Sequence, residues 1–92
     1  MAIEVRIPTI LRSYTDGAKA VDAKGSTLEE LIGDLDARHP GLKGRLVDDA
    51  GLRRFVNVYL NDEDVRFLGG LGTPVADGDT VTVLPAVAGG AR

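Results

Sequence analysis

The residues best placed to do chemistry stand near the end of the chain: Val83-Leu84-Pro85-Ala86-Val87-Ala88-Gly89-Gly90, with Ala91-Arg92 behind them. A β-type run leads into a diglycine without side chains. Glycine lacks a Cβ, so such a stretch can enter a narrow channel and lie close to another protein's backbone. A terminal glycine carboxylate is open on both faces. That geometry suits a C-terminus that is itself a reactant, first activated and then attacked. The competing reading is a Gly-rich end that frays in water, and the tail alone favours it.

No other part of the chain is equipped for catalysis. The absence of cysteine excludes disulfides and thiolate chemistry on the chain itself. The single histidine, His39, lies in a helix-stop sequence with Pro40 and Gly41, where a histidine is far more often a cap than a catalyst. Asp62, Glu63 and Asp64 fall in one turn and Asp77 and Asp79 in another. Neither has the spacing of a calcium loop, and both read as solvated turn carboxylates. Gly69-Gly70-Leu71-Gly72 lacks the Lys-Ser/Thr of a phosphate-binding loop. No catalytic residue, metal site or bound cofactor is therefore assigned. The net charge is -3 and no Lys/Arg run stands out, which argues against a nucleic-acid partner. Arg53-Arg54 reads as a solvated edge. The N-terminal stretch lacks a signal-peptide block and no apolar run reaches membrane-spanning length, so no membrane partner is expected and the default compartment is the cytoplasm.

The tail must be carried by something rigid, and 92 residues suffice for one domain with an aliphatic core: 43% of residues are hydrophobic but only 4% aromatic. Ile3, Val5 and Ile7 alternate with Glu4 and Arg6, a half-buried strand closed by Pro8. Tyr14-Thr15-Asp16-Gly17 reads as a turn before a second strand at 18–23, with Val21 and Ala23 inward. Thr27 followed by Glu30 is a capping-box pattern, with Ser26 and Glu29 offering the same one residue earlier. It opens a helix whose apolar face is Leu28, Leu31, Ile32 and Leu35. Leu42 and Leu46 suit a short helical turn. Val56, Val58 and Leu60 mark a third strand at 54–60, Val65-Arg66-Phe67 a short strand, and Val81 and Val83 a last strand at 80–84. A hairpin, a crossover helix and a second set of strands give an α+β fold. It is a β-grasp layout: a mixed sheet of four to five strands, one main helix, and the last strand beside the first. The expected division is a β-grasp domain over residues 1–87 and a flexible Gly-Gly tail over 88–92.

With that layout, the run Asp77-Gly78-Asp79-Thr80-Val81-Thr82-Val83-Leu84-Pro85 into Gly89-Gly90 resembles the ubiquitin-like β-grasp sulfur carriers. These are the relatives of the molybdopterin-synthase small subunit and of the thiamine sulfur carrier. Two stretches, Ile7 to Arg12 and Arg54 to Phe67, resemble the actinobacterial branch that serves cysteine biosynthesis. The resemblance implies a carrier, not an enzyme. An adenylating (E1-like) enzyme would use ATP to activate the glycine carboxylate, and sulfur would displace AMP to leave a thiocarboxylate. A PLP-dependent cysteine synthase would accept the sulfur, and a metallopeptidase would release the cysteine. ATP and PLP belong to those partners. Gly90 becomes the adenylation and thiocarboxylate site, while Gly89, Ala88 and Val87 form the arm that enters partner active sites. Leu84 and Val87 would anchor the arm's base, with last-strand core an equal reading for Leu84.

The family motif ends at Gly-Gly, whereas Ala91-Arg92 follow here. Trimming by a peptidase between Gly90 and Ala91 is the favoured reading, and loss of the sulfur role the other. Sulfur supply to molybdopterin or thiamine synthesis remains open, as does ubiquitin-like modification of protein lysines.

Overall fold

The computed structural model describes residues 2–49, 51–53 and 56–85. The strands are β1 (Ile3–Arg6), β2 (Ala20–Ala23), β3 (Val47–Asp48), β4 (Gly51–Leu52), β5 (Val56–Leu60), β6 (Glu63–Asp64) and β7 (Thr80–Pro85), and the helices are α1 (Leu28–Arg38) and α2 (Leu42–Leu46). Five strands form one mixed sheet in the order β2-β1-β7-β5-β6, and β3 and β4 make a separate two-stranded ribbon. β1 runs parallel to β7, with Val5 opposite Val81, and antiparallel to β2. β5 runs antiparallel to β7, with Val56 opposite Pro85. The last strand thus lies in the centre, beside the first, as the β-grasp reading requires.

Helix α1 starts where the capping pattern places it. The Thr27 hydroxyl accepts from the Glu30 N–H at 3.3 Å, and Glu30 Oε1 accepts from the Ser26 N–H at 2.9 Å. The Glu30 carboxylate thus reaches one residue beyond the cap itself, so Ser26 contributes its N–H and Thr27 its side chain. The helix ends at His39, whose N–H donates to the Leu35 carbonyl at 2.7 Å. Gly41 follows at φ 97°, and a Cβ there would sit 3.0 Å from the Tyr14 ring, so both conformation and space favour glycine.

Leu28, Leu31, Ile32 and Leu35 pack with Ile3, Val5, Ala23, Val58, Val81 and Val83 in one cluster, with Val21, Val56 and Leu60 half-buried against it. Period-2 and period-3.6 stripes meet there, as expected. Ile7, Leu11, Leu42, Leu46, Val65 and Val75 complete the core.

Two local readings are corrected. Val65–Phe67 is a 3-10 turn, not a strand. Asp64 Oδ1 accepts from the Arg66 N–H at 2.8 Å, which starts the turn and outweighs the β-preference of Val and Phe. The strand at that point is Glu63–Asp64, paired with Tyr59 and Leu60. The chain after Pro8 forms a 3-10 helix over Thr9–Thr15, and the second strand begins at Ala20 rather than Ala18. Asp16 at φ 55° and Gly17 at φ 86° make the turn between them.

Candidate functional site

The tail residues Val87, Ala88, Gly89, Gly90 and Ala91 lie outside the described residues, as does the 87/88 boundary between domain and tail. The structure instead shows the platform from which they leave. β7 carries Val83 inward, 3% exposed, and Leu84 outward, 44% exposed. Leu84 is therefore not core. It stands on the open face of the sheet, available for contact.

The two sides of β7 are supported differently at this end. On one side, Asn57 and Val56 of β5 pair with Leu84 and Pro85. On the other, the parallel pairing with β1 stops at Arg6 opposite Thr82. The reason is local to the sequence. Pro8 has no N–H to offer a ladder, and the following residues coil away as a 3-10 helix, closed by the Leu11 N–H donating to the Pro8 carbonyl at 2.9 Å. One edge of β7 beyond Thr82 is thereby left without a strand partner.

Two grooves flank this edge. One, of about 250 Å³, is lined by Pro8, Ile10, Leu11, Arg45, Arg53, Val56, Val83, Leu84 and Pro85. The other, of about 330 Å³, adjoins it through Pro8, Val83 and Leu84 and takes in Glu4, Arg6, Arg12, Lys19 and Thr82. Ile10 is 67% exposed at the mouth of the first. Sequence reasoning did not find these grooves, because Ile10, Arg45, Arg53 and Leu84 come from four separate segments.

The β5 side is braced by Arg66. Its guanidinium donates to the carbonyls of Arg53 at 2.9 Å and Val56 at 2.6 Å, and to Asn57 Oδ1 at 2.9 Å. The Arg53 N–H in turn donates to the Leu46 carbonyl at 2.9 Å and its Nε to the Gly44 carbonyl at 2.8 Å. The exit of the tail is thus tied through β5 to α2.

Two of the turn carboxylates, Asp64 and Asp79, are partnered within the fold. Asp79 accepts from the Ala76 N–H at 2.9 Å and from Asn61 Nδ2 at 3.1 Å, which locks the turn that launches β7. Among the described residues no group of three or more His, Cys, Asp or Glu is arranged to hold a metal ion. No helix there is long and apolar enough to cross a membrane.

Comparison with known proteins places this architecture. The chain is 58% identical over 93 residues to sulfur carrier protein CysO of Mycobacterium tuberculosis, covering 98% of this chain and all of that protein. It is 42% identical over 65 residues to small archaeal modifier protein 3 of Haloferax volcanii, covering 71% of each. Among solved structures, a chain of the Amycolatopsis orientalis BexX/CysO complex superposes with a TM-score of 0.91 at 61% identity, covering 96% of this chain and 99% of that one. The ThiS family matches residues 5–90, and its match ends on Gly90, the second residue of the diglycine. With nearly the whole chain aligned and the same fold, this protein belongs to the ThiS family.

Proposed function

We propose that this chain is a sulfur carrier whose Gly90 carboxylate becomes a thiocarboxylate that donates sulfur for cysteine biosynthesis. The supporting observation is the full-length 58% identity to a sulfur carrier, with the diglycine at the limit of the family match. On this reading the chain is a co-substrate of partner enzymes rather than an enzyme.

The chemistry follows from the weakness of a carboxylate as an electrophile. An adenylating enzyme joins the Gly90 carboxylate oxygen to the α-phosphorus of ATP and releases pyrophosphate. Sulfide attacks the acyl carbon, and AMP leaves with the bonding pair; where the donor is a persulfide, the first product is an acyl disulfide, and a thiol must reduce its S–S bond to release the thiocarboxylate. The thiocarboxylate sulfur is then the nucleophile toward an acceptor on a PLP-dependent cysteine synthase, and a metallopeptidase frees the cysteine and restores the carrier. ATP and PLP are held by those enzymes. The acyl-adenylate hydrolyses in water, so it belongs inside a partner. The carrier contributes a rigid platform at Leu84 and Pro85 and a thin arm through Val87, Ala88 and Gly89.

Ala91 and Arg92 stand beyond the reactive residue, so trimming precedes activation. The test compares the full-length chain with one ending at Gly90 in sulfide-dependent thiocarboxylate formation by the adenylating enzyme, read by intact mass. The trimmed form reacts and the full-length form does not. Equal transfer by a chain that still ends in Arg92 overturns the assignment of Gly90.

A second reading is conjugation of Gly90 to protein lysines. The identity to a small archaeal modifier protein favours it. Intact mass separates the two outcomes in protein from the native cell: one oxygen exchanged for sulfur, or a covalent protein adduct.

A further inference from the structure

Two of the chain's four prolines, Pro8 and Pro85, line one groove at the point where the β1–β7 ladder stops. The bonding pattern of that ladder shows what each removes. The Glu4 N–H donates to the Asp79 carbonyl at 3.2 Å, one residue before its register partner Thr80. A parallel ladder repeats this spacing every two residues along both strands. Carried on from Arg6 opposite Thr82, it would next need the N–H of residue 8 on the Val83 carbonyl. After that it would need the N–H of residue 85 on the carbonyl of residue 8. Both donors are missing, because both residues are proline. The last acceptor is also occupied, since the Pro8 carbonyl takes the Leu11 N–H at 2.9 Å.

The β5 side accommodates the same proline. The Asn61 N–H donates to the Thr80 carbonyl at 2.9 Å, so Thr80, Thr82 and Leu84 aim their backbone groups at β5 and Pro85 aims away from it. Pro85 therefore keeps its place opposite Val56 without removing a bond there, while it blocks continuation toward β1.

We infer that Pro8 and Pro85 are positioning residues for the proposed transfer, a role that rests on the sulfur-carrier reading. Together they end the sheet at residue 85 and so fix the length of the arm that carries Gly90. Residues 86–90 span at most roughly 17 Å when extended. Each further residue drawn into the ladder shortens that reach by about 3.3 Å, and a reacting carbonyl tolerates little misplacement. A strand that crept along the open edge would hold Gly90 short of a partner's reactive centre. The two prolines act through absent donors, not through contact with the partner.

The test uses chains ending at Gly90. Pro8→Thr with Pro85→Thr restores both donors. Pro8 is half-buried and Pro85 exposed, and Pro8 already has the extended φ -70° and ψ 157° that threonine adopts readily, so the fold is kept, checked by the urea midpoint. Hydrogen exchange on the free protein reads the ladder. The new amides at residues 8 and 85 are expected to exchange at least about tenfold more slowly than in an unstructured peptide. Kinetics with the adenylating enzyme read the arm. In the double variant, kcat for thiocarboxylate formation is expected to fall about tenfold or more with KM unchanged. Two alanines inserted after Val87 of that variant restore kcat. Fast exchange at both new amides refutes the stop. Slow exchange with unchanged kcat refutes its role in positioning, and so does a lost kcat that the insertion fails to restore. A double variant whose only change is self-association by sedimentation also refutes it, since the prolines then guard the edge against a second copy. The two readings fail separately. Slow exchange in the double variant, with no thiocarboxylate formed even by the unaltered chain, overturns the sulfur chemistry and leaves the stop standing. Thiocarboxylate formation with no dependence on the two prolines does the reverse.

Discussion

The guanidinium of Arg66 donates to the carbonyl of Val56 at 2.6 Å, and Val56 is the residue that β5 sets opposite Pro85 at the tail's exit. An exposed side chain on a 3-10 turn thereby fixes the strand that supports the tail. Arg66→Ala removes bonds to Arg53, Val56 and Asn57 and is expected to cost about 1–2 kcal/mol by urea unfolding, since a net hydrogen bond contributes little in an exposed setting. Arg66→Lys recovers only a small part, because an ammonium cannot reproduce the planar fork. Hydrogen exchange should quicken at β5 more than at β1. Uniform quickening of both strands counts against a local brace.

Gly25 and Gly33 should respond to alanine with opposite signs. A Cβ at Gly25 would lie 2.6 Å from the backbone nitrogen of Leu31 and 3.0 Å from the carbonyl carbon of Glu30. The chain passes against the first turn of α1 there, and backbone atoms cannot step aside. Gly25→Ala should destabilise by about 1–3 kcal/mol. Gly33 lies within α1 with nothing near its missing Cβ, so Gly33→Ala should stabilise by about 0.5–1 kcal/mol through helix propensity. Paired thermal or urea melts settle both, and the same sign for the two undoes the argument.

Leu31 is 0% exposed at the centre of the helix face. Leu31→Ala should cost about 2–5 kcal/mol, the transfer loss plus the residual cavity. A urea midpoint within error of the parent would mean that the sheet does not rest on this face of α1.

Gly90→Val addresses the proposed chemistry. A β-branched side chain crowds the acyl carbon that the adenylating enzyme must reach. The last buried residue of β7 is Val83, so the unfolding midpoint should not move. Thiocarboxylate formation on the chain trimmed to residue 90 should fall about a hundredfold or more, the scale on which misplacing a reacting centre acts. Undiminished transfer would place the reactive carbonyl elsewhere.

The sequence made α1 legible because two independent codes coincide: a cap at Thr27 with Glu30, and a stripe at Leu28, Leu31, Ile32 and Leu35. β1, β5 and β7 were legible from alternation alone. Val65-Arg66-Phe67 was misread because strand propensity resides in its side chains, whereas the deciding bond comes from Asp64, one residue outside the run. Leu11 was missed because a 3-10 helix has no sustained period to read, and the β3–β4 ribbon because two residues cannot alternate. At the candidate site the diglycine was visible as a string of residues. Its surroundings were not, since Ile10, Arg45, Arg53 and Leu84 meet only after the sheet has formed.

The place of β7 between β1 and β5 bears on how the protein is made. The hairpin of β1 with β2 and the pair of β5 with β6 exist as separate edges until β7 joins them, and β7 is the last strand to be synthesised. The ribosome must release residues up to Pro85 before the sheet can close, because the β1–β7 pairing spans nearly the whole chain. A truncated or stalled chain therefore has neither a completed sheet nor a tail. On the proposed function, a reactive Gly90 would thus be carried only by a chain whose synthesis has run past the strand that closes the sheet.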